Sequence, residues 1–179
     1  MGYAGGRLEN PTYHSLGDHT ETVQVDFSPE EASYAQQLEV FWAAHDPFRK
    51  PWSRQYMSLI ICADEAQMDV AQKSKRALEE RVGRSVWTEI VGPAPFTLAE
   101  GYHQKYYLRR VGPVISFLEA VYPDMEDLVN STAAARLNGY VGGYGTRDTL
   151  AGEIEHYGLP EPARAALLGK RSATLGCTG

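Results

Sequence analysis

The 179-residue chain is 43% hydrophobic, enough to bury one ordinary core with an elaboration and little more. Its 23 acidic residues outnumber 17 basic ones, and no window concentrates Lys and Arg, which argues against nucleic acid as a partner. The longest apolar runs, such as 57–63, fall far short of the roughly 20 residues that cross a bilayer, so no membrane partner is expected.

The Gly-rich opening has neither the basic start nor the apolar stretch of a secretory signal, and the cytoplasm is the expected compartment. From Glu21 to Phe27 apolar and polar residues alternate, with Val23, Val25 and Phe27 on one face, which predicts a strand with one wet face. Ser28-Pro29-Glu30-Glu31 opens a helical pattern through Tyr34, Leu38, Phe41 and Trp42 that ends near His45-Asp46-Pro47. A second strand is predicted from Gln55 to about Cys62, and its run Leu59-Ile60-Ile61-Cys62 suggests a central position. Asp64 is placed to cap a helix over Glu65 to Val82 that Gly83 closes, and Val86 to Val91 reads as the next strand. This alternation predicts an α/β fold, an α+β two-layer sandwich of ferredoxin-like type with a mixed sheet. After 111 the pattern becomes short helical pieces: 114–122, 124–138, 146–157 and 161–168, broken at Gly139 to Gly145. The expected organisation is an α/β domain over 1–110 and a mostly helical C-terminal extension over 111–179.

Two cysteines, Cys62 and Cys177, make neither a disulfide framework nor a zinc spacing, and both are expected to be reduced at rest. Tyr102-His103-Gln104 offers a metal-ligating residue type but no second His at ligand spacing, so a scaffold role is expected and no metal.

Seven short strings are ordinary loop chemistry singly and specific together. They are Gly2-Tyr3-Ala4-Gly5-Gly6, Asn10-Pro11-Thr12-Tyr13, His19-Thr20-Glu21, Phe41-Trp42, His45-Asp46-Pro47, Gln55-Tyr56-Met57-Ser58 and Tyr102-His103-Gln104. In this order the chain resembles peptide methionine sulfoxide reductase A, over about 2–106. The resemblance implies attack of a thiolate on the sulfur of methionine S-sulfoxide, giving methionine and a sulfenic acid that a second thiol resolves as a disulfide. It implies thioredoxin as the reductant, oxidised protein or peptide methionine as the substrate, and no cofactor. Carried over residue by residue, Glu21 matches the family's acid, and Tyr13 and Tyr56 match the phenols that bind the sulfoxide oxygen. His19 and Tyr3 match positions beside the substrate. A buried carboxyl among phenols holds its proton near neutrality, as an acid catalyst requires. Without the resemblance, Tyr13 reads as a packing residue, Glu21 as a strand-edge charge and His19 as a structural hydrogen-bond partner.

Several features depart from the family pattern. The family's Gly-Cys-Phe-Trp-Gly string, which carries the nucleophile at a helix start, lies upstream of the Gly-Tyr-Ala-Gly-Gly string, and this chain starts at Met1 just before the latter. Two histories fit: an upstream exon or a misread codon, selenocysteine included, separates a working N-terminus from these residues, or the chain is a divergent member. The loops 14–18 and 48–54 are shorter than the family's, Pro51 and Trp52 stand where a supporting acidic residue is expected, and Met57 replaces an Arg. Divergence is therefore real in either history. The leading expectation is a peptide-methionine (S)-S-oxide reductase. The alternative is a catalytically inactive member acting as a binding or oligomer-scaffold module, since a sheet without its first strand exposes an edge. Cys177, between Gly176 and Gly179, has three readings: a frayed tail, a resolving thiol, or part of a strand filling that edge.

Overall fold

The computed structural model describes residues 1–169 and divides into two compact units, Met1–Glu100 and Gly101 onward. The division falls earlier than the sequence break at 110/111. The reason is that Leu108, within the 3-10 turn Leu108–Arg110, is fully buried in the core of the helical unit.

The first unit carries β1 (Gly2–Ala4), β2 (Thr20–Thr22), α1 (Tyr34–Ala43), β3 (Leu59–Ile61), α2 (Glu65–Val82), β4 (Glu89–Val91) and β5 (Phe96–Leu98). The α/β class holds, with the strands shared between two small sheets. One is antiparallel in the order β2-β1-β5, and the other is the parallel pair β3-β4 joined through α2. A crossover of this length is what parallel neighbours require. Gly2 sits where β1 and β5 approach most closely: a Cβ there would lie 2.5 Å from the Thr97 carbonyl oxygen. Only glycine fits that contact.

Helix α2 follows its sequence signals to the residue. Asp64 accepts from the Gln67 N–H at 2.7 Å, and Gly83, at φ 72°, sends its N–H back to the Glu79 carbonyl at 2.7 Å. Helix α1 starts later than Ser28-Pro29 suggested, because Ser33 and Gln36 form a reciprocal capping box. The alternating stretch after Glu21 is also shorter as a strand than expected. Its ladder ends at Thr22, and Val23 and Val25 are exposed. The core beneath α1 and α2 is built from Leu38, Ile60, Cys62 and Ala71, with Phe41, Trp42 and Met68 against it.

The second unit is helical: α3 (Gly112–Val121), α4 (Met125–Asn130), α5 (Thr132–Val141), α6 (Arg147–Glu153) and α7 (Glu161–Gly169). The expected single helix over 124–138 is two, because Ser131 leaves the helical conformation and caps α5 through the Ala134 N–H at 3.1 Å. Helix α5 also runs through Gly139. Leu108, Val114, Leu118, Leu128 and Leu137 are at its core. Its polar signature is Glu153, which accepts from Tyr140 (2.9 Å) and Tyr157 (2.6 Å) and pairs with Arg136. The Arg136 guanidinium and the two phenols pull the Glu153 carboxyl down from its ordinary 4.5 to about 2. No helix among the described residues is long and apolar enough to cross a membrane.

Candidate functional site

The site forms in the first unit, where the loop after β1, strand β2 and the loop before β3 meet. Strand β2 presents Glu21 opposite Tyr3 of β1 in the ladder. The Glu21 N–H donates to the Gln55 carbonyl at 3.2 Å, and Gln55 returns its side-chain amide to the Glu21 carboxylate at 2.6 Å. This reciprocal pair fastens Gln55, and hence Tyr56, beside Glu21. The Tyr13 phenol and the Glu21 carboxylate both lie close enough to Tyr56 to act on it electrostatically. Thus Tyr13, Glu21 and Tyr56 share one place.

That place is open. Tyr13 is 37% exposed, Tyr56 is 49% exposed, and Glu21 is half-buried rather than buried. Partial burial first, then the Glu21 charge and the Tyr13 phenol, push the Tyr56 phenol up from its ordinary range. Tyr56 therefore holds its proton at neutral pH and is a hydrogen-bond donor. Glu21 also borders an open groove of about 980 Å³ with Val23, Phe27, Leu59 and Phe96 on its walls.

Two of the expected substrate contacts are placed differently. Tyr3 is 2% exposed, its ring packed with Leu16 and Ala99, and its hydroxyl donates to Glu100 Oε2 at 2.6 Å. It faces the core and not the open site. His19 is 4% exposed; its Nδ1 accepts from the Gly6 N–H at 3.3 Å and its Nε2 donates to the Leu8 carbonyl at 2.8 Å. Both ring nitrogens are thus spent on folding the Gly5-to-Leu8 loop down. Gly6 permits this, since a Cβ there would sit 2.6 Å from the His19 backbone nitrogen. Asp18 completes the clamp by accepting from the Arg7 N–H at 2.8 Å, a bond that lowers its carboxyl below the usual range.

Sequence reasoning missed three supporting residues. Glu100 bridges the Tyr3 phenol and the Tyr13 N–H, the latter at 3.1 Å, so the backbone of Tyr13 is held by a carboxylate far along the chain. Arg54 reaches the Gly5 carbonyl (3.2 Å), the Asp18 carbonyl (3.4 Å) and Glu89 (3.0 Å), and its own carbonyl accepts from Thr20 Oγ1 at 3.0 Å. Trp52 lies against Tyr56, ring centroids 5.2 Å apart. Glu100 directly precedes the Gly101-Tyr102-His103-Gln104 string, but nothing local predicts its partners. His45 links the end of α1 to Ser58 (2.8 Å), and Ser58 links on to Thr88 (2.7 Å), so its ring nitrogens are engaged in holding the scaffold.

Cys62 is wholly buried, its Sγ 3.7 Å from the Tyr34 hydroxyl, and burial pushes the thiol up. It is the free cysteine among the described residues. Cys177 lies outside them. Among the described residues no group of three or more His, Cys, Asp and Glu side chains could hold a metal ion.

Two neighbouring phenols beside a carboxyl at an open place in the first unit can donate hydrogen bonds to a small oxygen acceptor. Comparison with known proteins gives the family. The peptide methionine sulfoxide reductase model matches residues 1–132, and the model of the helical domain of selenoprotein methionine sulfoxide reductase A matches 124–160. The chain belongs to the peptide methionine sulfoxide reductase family. It is 39% identical over 166 residues to a peptide methionine sulfoxide reductase of Drosophila melanogaster, covering 92% of this chain and 66% of that one. It is 40% identical over 147 residues to peptide methionine sulfoxide reductase A5 of Oryza sativa subsp. japonica, covering 78% and 57%. With the MsrA protein of Acidobacterium capsulatum the identity is 39% over 120 residues, covering 61% and 77%. The chain thus spans just under two thirds of the fly protein and little over half of the rice one.

Proposed function

We propose that this chain acts in the reduction of methionine S-sulfoxide in proteins to methionine, as a peptide-methionine (S)-S-oxide reductase. The observation that carries the reading is the proximity of the Tyr13 and Tyr56 phenols to Glu21, with Tyr56 fastened there by the reciprocal Glu21–Gln55 bonds. The sulfoxide oxygen accepts from the two phenols, and Glu21, a carboxylate in the free site, takes up a proton as bound substrate shields it from water and passes that proton to the oxygen, since oxide is a poor leaving group until protonated. A thiolate attacks the sulfur, the thioether departs, and the thiol carries the oxygen as a sulfenic acid. A second thiol displaces that oxygen as water and forms a disulfide. The sum is sulfoxide plus two thiols giving thioether, disulfide and water. Cys62 is too deeply buried to attack, so the attacking sulfur comes from outside residues 1–169. Thioredoxin is the proposed reductant of the disulfide, Cys177 the proposed resolving thiol, and the cytoplasm the proposed compartment.

The test is to incubate the full chain and dithiothreitol, which supplies both thiols, with a peptide carrying methionine S-sulfoxide or R-sulfoxide. Conversion of the S epimer alone, lost in Glu21→Gln, supports the reading. Conversion of both epimers, or of neither, overturns it.

A further inference from the structure

Glu21 is the group whose charge changes in the proposed chemistry, so what holds its carboxyl matters as much as what it faces. Tyr13 and Tyr56 bring phenols from two loops, and Tyr3, opposite in the ladder, has its hydroxyl on Glu100. Just before β2, His19 has both ring nitrogens engaged with Gly6 and Leu8, and the Arg54 guanidinium is turned to Gly5, Asp18 and Glu89. The carboxyl itself is met by Gln55, whose amide nitrogen donates to Oε1 at 2.6 Å.

That spacing is short for an N–H···O bond, as a charged acceptor makes it. The Glu21 N–H donates in turn to the Gln55 carbonyl at 3.2 Å, so residue 55 is pinned beside residue 21 by main chain and side chain together. Both residues are half-buried, where a lost bond is only partly replaced by water. A carboxylate only accepts and must meet the amide nitrogen, whereas a carboxylic acid also donates, and an amide oxygen can receive that bond. A carboxamide carries donor and acceptor at the same reach and exchanges them by turning through half a revolution. Gln55 can therefore hold Glu21 in both charge states, which neither an apolar side chain nor a second carboxylate can do.

We propose that Gln55 is the positioning residue for Glu21: its amide nitrogen holds the carboxylate in the free site, and its amide oxygen accepts from the protonated acid once substrate is bound, so the carboxyl stays aimed through the proton transfer. This rests on the reading under Proposed function. Gln55 touches no reacting atom. It sets how readily Glu21 takes up its proton, and it occupies one carboxyl oxygen while the other serves the substrate.

The experiment is carbon-13 NMR of the full chain labelled at its glutamate carboxyls and titrated with acid, the Glu21 signal being the one absent from Glu21→Gln. Gln55→Met fills similar space without a hydrogen bond, and Gln55→Asn keeps the amide but is a methylene short. In both, loss of the donor destabilises the carboxylate, and the Glu21 midpoint rises by about one pH unit. The same proteins are titrated calorimetrically across pH with N-acetyl-methionine-S-sulfoxide methylamide and with the corresponding thioether. In wild type, sulfoxide affinity falls about tenfold per pH unit above the Glu21 midpoint, because a proton is taken up with the ligand, while thioether affinity is flat. In both variants that fall begins about one unit higher. A Gln55 that only braces the loop leaves the midpoint in place and lowers affinity equally at every pH, and that result overturns the proposal. If the midpoint rises in the variants but wild-type sulfoxide affinity is flat with pH, the proton step under Proposed function fails while the hold of Gln55 on Glu21 stands.

Discussion

Tyr3 and Tyr13 are both tyrosines of family strings, yet the structure gives them opposite jobs, and removing one oxygen from each separates stability from function. In Tyr3→Phe the ring keeps its place with Leu16 and Ala99, so no cavity forms and the loss is confined to the hydroxyl that donates to Glu100 at 2.6 Å. A hydrogen bond to a charged group contributes about 1.5–3 kcal/mol, and the half-buried Glu100 recovers part of this from water. The expected cost is about 1.5 kcal/mol. With a urea slope of about 2 kcal/mol per molar, the unfolding midpoint falls by about 0.7 M. Tyr13 is 37% exposed, so in Tyr13→Phe the midpoint moves by less than about 0.3 M, whereas sulfoxide affinity falls about tenfold. Urea titration by circular dichroism, paired with calorimetry, reads both. The reasoning is refuted if Tyr3→Phe keeps the wild-type midpoint and loses sulfoxide binding, for then Tyr3 faces the substrate after all.

The Glu153 cluster predicts an acid limit to the helical unit. Its carboxyl is lowered in the folded state, so its stabilisation is complete above pH 4.5 and is lost as pH falls from there toward 2. Glu153→Gln should be less stable than wild type at pH 7, with the difference vanishing near pH 2 in thermal melts, and a gap that persists unchanged at pH 2 contradicts the linkage. Cys62 should resist iodoacetamide in native buffer and react promptly in denaturant, read by mass mapping of its peptide, because it is wholly buried with a raised thiol pKa. Rapid native labelling refutes that placement.

How much was legible in the sequence depended on whether the deciding contact was local. Helix α2 could be read to its ends because Asp64 and Gly83 announce both caps. The start of α1 could not, because Ser28-Pro29 imitates a cap while Ser28 only closes a turn, its carbonyl accepting from Glu31 and Ala32. Strands β1 and β5 escaped notice for a different reason. Each is three residues long, one opening on Gly2 and the other preceded by Pro93 and Pro95, and each exists through its partner across the chain. The site divides in the same way. Tyr13, Glu21 and Tyr56 stand far apart in sequence and could be grouped only through the family resemblance. Glu100 and Arg54 act on residues 87, 97 and 49 positions away, a reach that no spacing rule reports. His19 invited a substrate role because it sits two residues from Glu21 on a strand edge. The loop it holds through Gly6 and Leu8 appears only in three dimensions.

The central claim is that the two phenols and Glu21 receive the sulfoxide oxygen, and the most direct measurement is a crystal structure of the full chain with a methionine S-sulfoxide peptide bound. The account predicts the sulfoxide oxygen within about 2.5–3.0 Å of both the Tyr13 and Tyr56 hydroxyls, on the side facing Glu21. Peptide bound with its sulfoxide oxygen away from these hydroxyls, for example with the side chain in the apolar groove between Val23 and Phe96, contradicts it.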